Sequence, residues 1–570
     1  MFPSTGTVRA KEGTPSQKNK SPVSTTTAPT FLETSASHSP LSSTPEPDEP
    51  SNGSDTQLDI EPQVRPTLEC IPRELSLLTP ESRPRNGPNK HLINHFHTHV
   101  YKSLHPVIQD AITELWHHPQ LQTAVLALSA CNLFNLHSFQ RGSLENGQHI
   151  NKTHSTATKA YLRYALGFYD EAVSKVRQMQ ANPGSSTLEL QHLNLGATLL
   201  LALFEWDLGS VKACFAHLDG ADAIVLSSHT SLAETDLGSR LLRSWAEMHA
   251  QKYRRRLPFR PLHGESAKDQ CMQAAVLSQR NCRTVELSIL LTEAYRTRNR
   301  VVLQECMGLE TTNSEAALRM SRAWYSQAFE FSYETDPDTE AQTTLTTDEM
   351  LDRLETTNRS LQKWHSLLPL VELPSPSHAI NVISFQTAHM KFVNHVASCQ
   401  YLHYLMASML SSLEILDMFL FRACPPLPDE PFTAQVISIL ALIEALDPEI
   451  VATQHTFHVG PIWVFYTLPL CVPDFRITTY LLDTILPRFE RYVSCGPLLR
   501  SLAQTRQSIL GIQSQILLGR LPLLYDANVL TTEDLALSDR ARRGTKAAVF
   551  GRDFAGRRFQ EIVELPSCSL

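Results

Sequence analysis

The chain has 570 residues, 42% of them hydrophobic, with 50 Lys and Arg against 58 Asp and Glu and a formal net charge of −8. That length admits about two to four ordinary domains with an ample core, and that charge supplies no global positive field, which excludes a general electrostatic binder of nucleic acid while leaving room for a local basic patch. The 11 cysteines run from Cys70 to Cys568, and the nearest pair, Cys271 and Cys282, is widely spaced; this excludes a disulfide framework and predicts reduced, buried thiols in an intracellular protein.

Residues 1–88 are dominated by Ser, Thr, Pro and Glu, with Phe2 and Phe31 the only aromatics. Such a stretch cannot bury enough apolar surface to offset the entropy of ordering, so a disordered N-terminal segment is predicted. Its opening, MFPSTGTVRAKEGTPSQ, lacks the apolar core of a secretory signal. The most apolar runs downstream, LLLALF at 199–204 and VISILALIEAL at 436–446, fall short of the roughly 20 residues of a membrane helix. No membrane association is expected.

From 89 to 520 apolar residues recur at helical spacing and prolines retreat to segment ends such as Pro119, Pro183 and Pro261. In 119–136, Pro119 suits a first helical turn, while Leu121, Ala124, Val125, Leu128, Cys131 and Asn132 form one stripe, with Ala127 and Ala130 small enough for close helix approach. A helix over 159–179 places Tyr161, Ala165, Phe168, Ala172 and Val176 on one face and Arg163, Asp170, Glu171 and Lys175 elsewhere. Leu195, Leu199, Ala202, Leu203 and Trp206 line the next helix, over 190–206. Gly209 fits a C-terminal cap, and a further helix carries His217, Leu218, Ala221, Ile224 and Val225. The predicted fold class is all-α, a multi-helix bundle or array of antiparallel helix pairs. Residues 521–570 are predicted to be a C-terminal tail whose basic run, Arg540, Arg542, Arg543, Lys546, Arg552, Arg557 and Arg558, is either a solvated surface or a patch for nuclear import or nucleic acid.

Four segments in order, HLINHFHTHVYKSL with HPQLQTAVLALSACNL, AYLRYALGFYDEAV, LLLALFEWDLGSVKACFAHLDGADAIVL and HVGPIWVFYTLPLCVPDFR, resemble the fungal-specific transcription factor domain, the regulatory half of fungal zinc-cluster regulators. The third segment carries a pattern similar to the family's E-x-x-x-G followed by W/F-x-x-H-L-x-G-A, here Glu205, Gly209, Phe215, His217, Leu218, Gly220 and Ala221. The resemblance covers roughly residues 90–520. It implies a nuclear regulator of transcription, of a metabolic or secondary-metabolite gene set, whose helical domain pairs as a homo- or hetero-dimer with another regulator or answers a small-molecule effector. Members usually add six cysteines in Cys-x2-Cys-x6-Cys repeats that hold two zinc ions against DNA, and no two cysteines here stand at either spacing. Contact with DNA is therefore expected to be indirect or weak, through a partner, the basic run or a module encoded upstream. The reading kept beside this one is a helical ligand-binding or scaffold protein of the same descent that has left transcription and stays in the cytoplasm.

His91, His95 and His99 stand at i, i+4 and i+8, so a continuous helix would align three imidazoles as metal ligands or, more simply, as a polar helix surface. His117 and His118 before Pro119 read as a helix-entry turn, and His217 as a neutral core or cap histidine bonded to backbone. No G-x-S-x-G elbow, G-x-G-x-x-G turn or H-E-x-x-H pair occurs, and Glu205 and Asp207 fall on different helical faces. No enzyme activity, catalytic residue or cofactor is expected.

Overall fold

A computed structural model describes residues 87–104, 106–144, 152–180, 187–255, 283–308, 320–321, 323–324, 345–375, 392–422, 430–454, 460–493, 496–526 and 545–565. All lie in one compact unit, Ile71–Leu570. The predicted N-terminal segment, apart from its last two residues, falls outside them. Helices dominate the described residues, as the apolar periodicity requires, and one three-stranded sheet accompanies them.

The first seven helices are α1 (Gly87–His95), α2 (Pro106–Leu115), α3 (Pro119–Leu144), α4 (Lys152–Gln180), α5 (Leu188–Leu208), α6 (Val211–Ala233) and α7 (Asp236–Arg255). α1 continues through a π-helical turn, Phe96–Val100, into Tyr101–Ser103. Leu121, Ala124, Val125, Leu128 and Cys131 of α3 are all buried, as are Tyr161, Ala165, Ala172 and Val176 of α4, so both predicted stripes face one core. Ala127 and Ala130 are fully buried and let α3 pack closely. α5 is buried nearly all round, which is why its sequence reads as an almost unbroken apolar run.

A second core is built by α8 (Arg283–Cys306), α9 (Thr347–Ser366), α10 (His395–Leu410), α11 (Glu430–Ala445), α12 (Ile462–Cys471) and α13 (Gly496–Leu517). α9 shows how local sequence sets such a helix. Thr346 accepts from the Glu349 amide while the Glu349 carboxylate accepts from the Thr346 amide, a capping box, and Met350, Leu354, Leu361 and Trp364 follow on one buried stripe. α8 is the hub: it touches α7, α9, α10 and all three strands.

The C-terminal segment departs from the expected tail. Strands β1 (Arg520–Asp526), β2 (Thr545–Asp553) and β3 (Arg558–Leu565) form an antiparallel meander in the order β1-β2-β3, with a bulge between Pro522 and Leu524. The bulge accommodates a proline, which has no amide to give the ladder. β1 packs on α8, α12 and α13, and Ala547, Ala548, Val549 and Phe550 of β2 are completely buried. Among the described residues no single helix is long and apolar enough to cross a membrane.

Candidate functional site

The residues of the Glu205–Ala221 pattern form one local structure. α5 ends where Gly209 adopts φ 99°, with its amide bonded to the Glu205 carbonyl at 3.0 Å and the Ser210 amide bonded to the same carbonyl at 2.8 Å. This is the glycine-terminated helix end that the sequence implied. Ser210 then caps α6, its hydroxyl accepting from the Ala213 amide. The reversal lays α6 back along α5, with Leu218 and Ala221 buried between them and Gly220 facing Thr198.

Tyr169 of α4 closes this pair from outside. Its ring stacks on Phe204 at 4.7 Å, and its hydroxyl lies 2.8 Å from His217 Nε2 and is hydrogen-bonded to Glu205. Burial raises the Glu205 carboxyl above the usual range against the opposing Tyr169 bond, and burial, helped by Arg177, lowers His217. Burial thus disfavours the charged form of His217, whose hydrogen-bond partner is the Tyr169 side chain and not backbone. With the hydroxyl proton directed to Glu205, Tyr169 accepts from His217 Nε2–H, which fixes the tautomer.

One helical turn further along α6, Asp222 anchors a network that the sequence reading did not single out. Trp245, His249 and Lys252 share one face of α7, at i, i+4 and i+7. Trp245 Nε1 donates to Asp222 Oδ1 at 2.9 Å, His249 Nδ1 lies 2.8 Å from the same oxygen, and Lys252 Nζ donates to Oδ2 at 2.9 Å and also to Asp219. All four side chains of the inner network are buried. Burial alone would raise Asp222, but the His249 hydrogen bond and the charges of His249 and Lys252 hold it well below the ordinary carboxylate range. The available signal was the Trp-x3-His-x2-Lys spacing opposite Asp219 and Asp222.

Between these layers lies a cleft lined by Leu203, Trp206, Phe215, Leu218, Met248 and Lys252. Most of its wall comes from the segment that carries the resemblance. Its water-accessible volume is about 20 Å³, room for about one water and far below a metabolite site. As it stands, the cleft is an apolar seam with one cation, Lys252, held by two aspartates.

The other sequence-derived candidates are distributed differently. Among the described residues His91, His95 and His99 do not converge as a group of three: the His95 and His99 rings lie 4.9 Å apart across the π turn at Phe96–Val100, and His95 Nε2 meets Asn132 Oδ1 at 3.0 Å. Burial lowers His95 to about 4. Among the described residues, the group of three whose ligand atoms do converge is His117, His118 and Glu189. In the basic run, Arg540, Arg542 and Arg543 lie outside the described residues. Lys546 is half-buried, while Arg552 is buried and donates to the carbonyls of Leu420, Arg422 and Gly556. Arg557 pairs with Asp553 and Arg558 with Glu305. Arg552 is therefore a strut of the fold and not part of a surface patch. The five described cysteines, Cys131, Cys214, Cys306, Cys399 and Cys471, are buried and none is joined in a disulfide, as expected of thiols outside a disulfide framework. Trp463, from the fourth segment of the resemblance, sits beneath the Arg254 guanidinium at 5.2 Å and beside His403.

No family model matches this chain, and no curated protein or solved structure was found to resemble it at a significant level.

Proposed function

We propose that this chain is a regulator of transcription, acting on a fungal metabolic or secondary-metabolite gene set through its helical body, in the nucleus and with its contact to DNA made indirectly. One observation carries the reading. The first three segments of the resemblance fall on α1 and α3 to α6 and the fourth on α12, and residues of its most specific pattern share one packed unit: Gly209 turns the chain, Glu205 and His217 share Tyr169, and Leu218 and Ala221 fill the α5–α6 seam. A pattern scattered over unrelated surfaces would support nothing.

The described cleft at the pattern has room for about one water, which favours regulation through a partner chain over capture of a metabolite in that cleft. Dimerisation with another regulator supplies the DNA contact in this account. A fluorescently tagged chain is expected to concentrate in the nucleus, and the purified full chain is expected to bind duplex DNA only weakly, with affinity falling steeply as salt rises. Exclusion from the nucleus would favour the cytoplasmic scaffold instead, and tight, sequence-specific binding at physiological salt by the chain alone would overturn the indirect contact.

A further inference from the structure

We propose that His117, His118 and Glu189 form a surface site for a divalent transition metal, with Zn²⁺ the ion their chemistry fits best. The two histidines occupy the turn between α2 and α3, where the chain is not helical and neighbouring side chains can converge. Their rings lie side by side, with centroids 4.0 Å apart. Glu189 reaches them from the first turn of α5, which Thr187 caps. His118 Nε2 and Glu189 Oε1 are 3.2 Å apart, and one ligand atom from each of the three residues lies within 4.8 Å of the others.

That spacing is close to what a metal requires. Ligands about 2.0–2.1 Å from a tetrahedral zinc stand roughly 3.4 Å from one another, so the His118–Glu189 pair is already at ligand separation and only the exposed His117 and Glu189 side chains must close in. Two imidazoles and one carboxylate are ordinary zinc donors and leave a fourth position to water. The scaffold is also rigid where it must be. The His118 amide bonds the Leu115 carbonyl, Gln122 Nε2 bonds the Trp116 carbonyl, and Pro119 fixes the backbone at the start of α3. Trp116 itself stacks on Phe96 and lies against His97. A bound ion would therefore clip the α2–α3 turn to the start of α5, joining two elements of the first core.

The test is a titration of the full chain, freed of metal with a chelator, with Zn²⁺ by calorimetry and with Co²⁺ by absorption. His117→Ala and Glu189→Gln alter exposed side chains, and far-UV circular dichroism with metal-free melting checks that both variants fold. One equivalent of Zn²⁺ is expected to bind and raise the melting midpoint. Each variant is expected to weaken binding roughly tenfold or more and to lose that rise, because loss of even an outer-shell partner costs about that much. The Co²⁺ complex is expected to lack thiolate-to-metal absorption. Equal affinity in the variants, a thiolate band, or no zinc binding by the parent chain would each overturn the site.

Discussion

Asp207 and Asp222 lie fifteen positions apart in one segment, both buried, with opposite electrostatics. Asp222 is surrounded by donors. Asp207 is completely buried at the end of α5, where neither carboxylate oxygen has a well-formed hydrogen bond among the described residues; burial pushes it up to about 6, although the Arg500 charge opposes this. Folding therefore takes up a proton at Asp207 between its ordinary 3.8 and about 6, so its contribution worsens as pH rises through that window and is fully unfavourable above it. Asp207→Asn is expected to gain on the parent chain as pH climbs from 4 to 7, by up to about 3 kcal/mol, in urea unfolding followed across pH. Asp222 has the reverse sign. Its contribution is present above the ordinary carboxylate value and is lost as pH falls below it, and Asp222→Asn is expected to cost roughly 3–5 kcal/mol at neutral pH, because it removes the carboxylate facing His249 and leaves the buried Lys252 charge with Asp219 alone. A gain at both positions as pH rises would show that burial, and not hydrogen bonding, sets both. Asp207 was legible only as a residue on another face from Glu205. Its surroundings, with Asn132 and Asn135 from α3 and Arg500 from α13, depend on where those helices lie, which no local pattern encodes.

The α5–α6 reversal makes a similar contrast between two glycines. Gly209 has φ 99°, and a Cβ there would lie 3.6 Å from the Arg500 guanidinium carbon, an ordinary contact, so the cost of Gly209→Ala is backbone strain of about 1–2 kcal/mol. Gly220 is helical, and a Cβ would meet only Thr198 Cγ2 at 3.9 Å. Gly220→Ala is therefore expected to be neutral or stabilising by up to about 1 kcal/mol. Thermal melts of the two variants decide the matter, and the reverse order would mean that Gly220 is needed for helix approach and Gly209 is not. At this scale much was readable from sequence: the stripes of α3 and α4, the cap at Gly209 and the start at Pro119. The strands were not. β2 presents an apolar run that is buried on both faces, whose period says nothing of helix or strand, and its partner β1 contains a proline.

Across the molecule, the two cores meet through polar groups that sequence patterning assigns to the surface. Arg500 of α13 donates to the carbonyls of Trp206 and Asp207 at 3.0 and 2.7 Å, completing the end of α5 from the other core. On α8 the run Tyr295–Arg300 is buried throughout, and Arg298 donates to the carbonyls of Leu470 and Leu523, tying α12 to β1. A hub helix enclosed by neighbours needs such groups to satisfy carbonyls at the ends of other elements, and this breaks the rule that charged residues mark the outside. The same logic removes Arg552 from the basic run and leaves the helical body, not the C-terminal charge, as the centre of the functional reading.

That reading is tested most directly by comparing the transcripts of a strain lacking this chain with those of the same strain carrying it again. A coherent set of metabolic genes is expected to change on loss and return on restoration. An unchanged transcript profile in conditions where the protein is present would contradict a role in transcription.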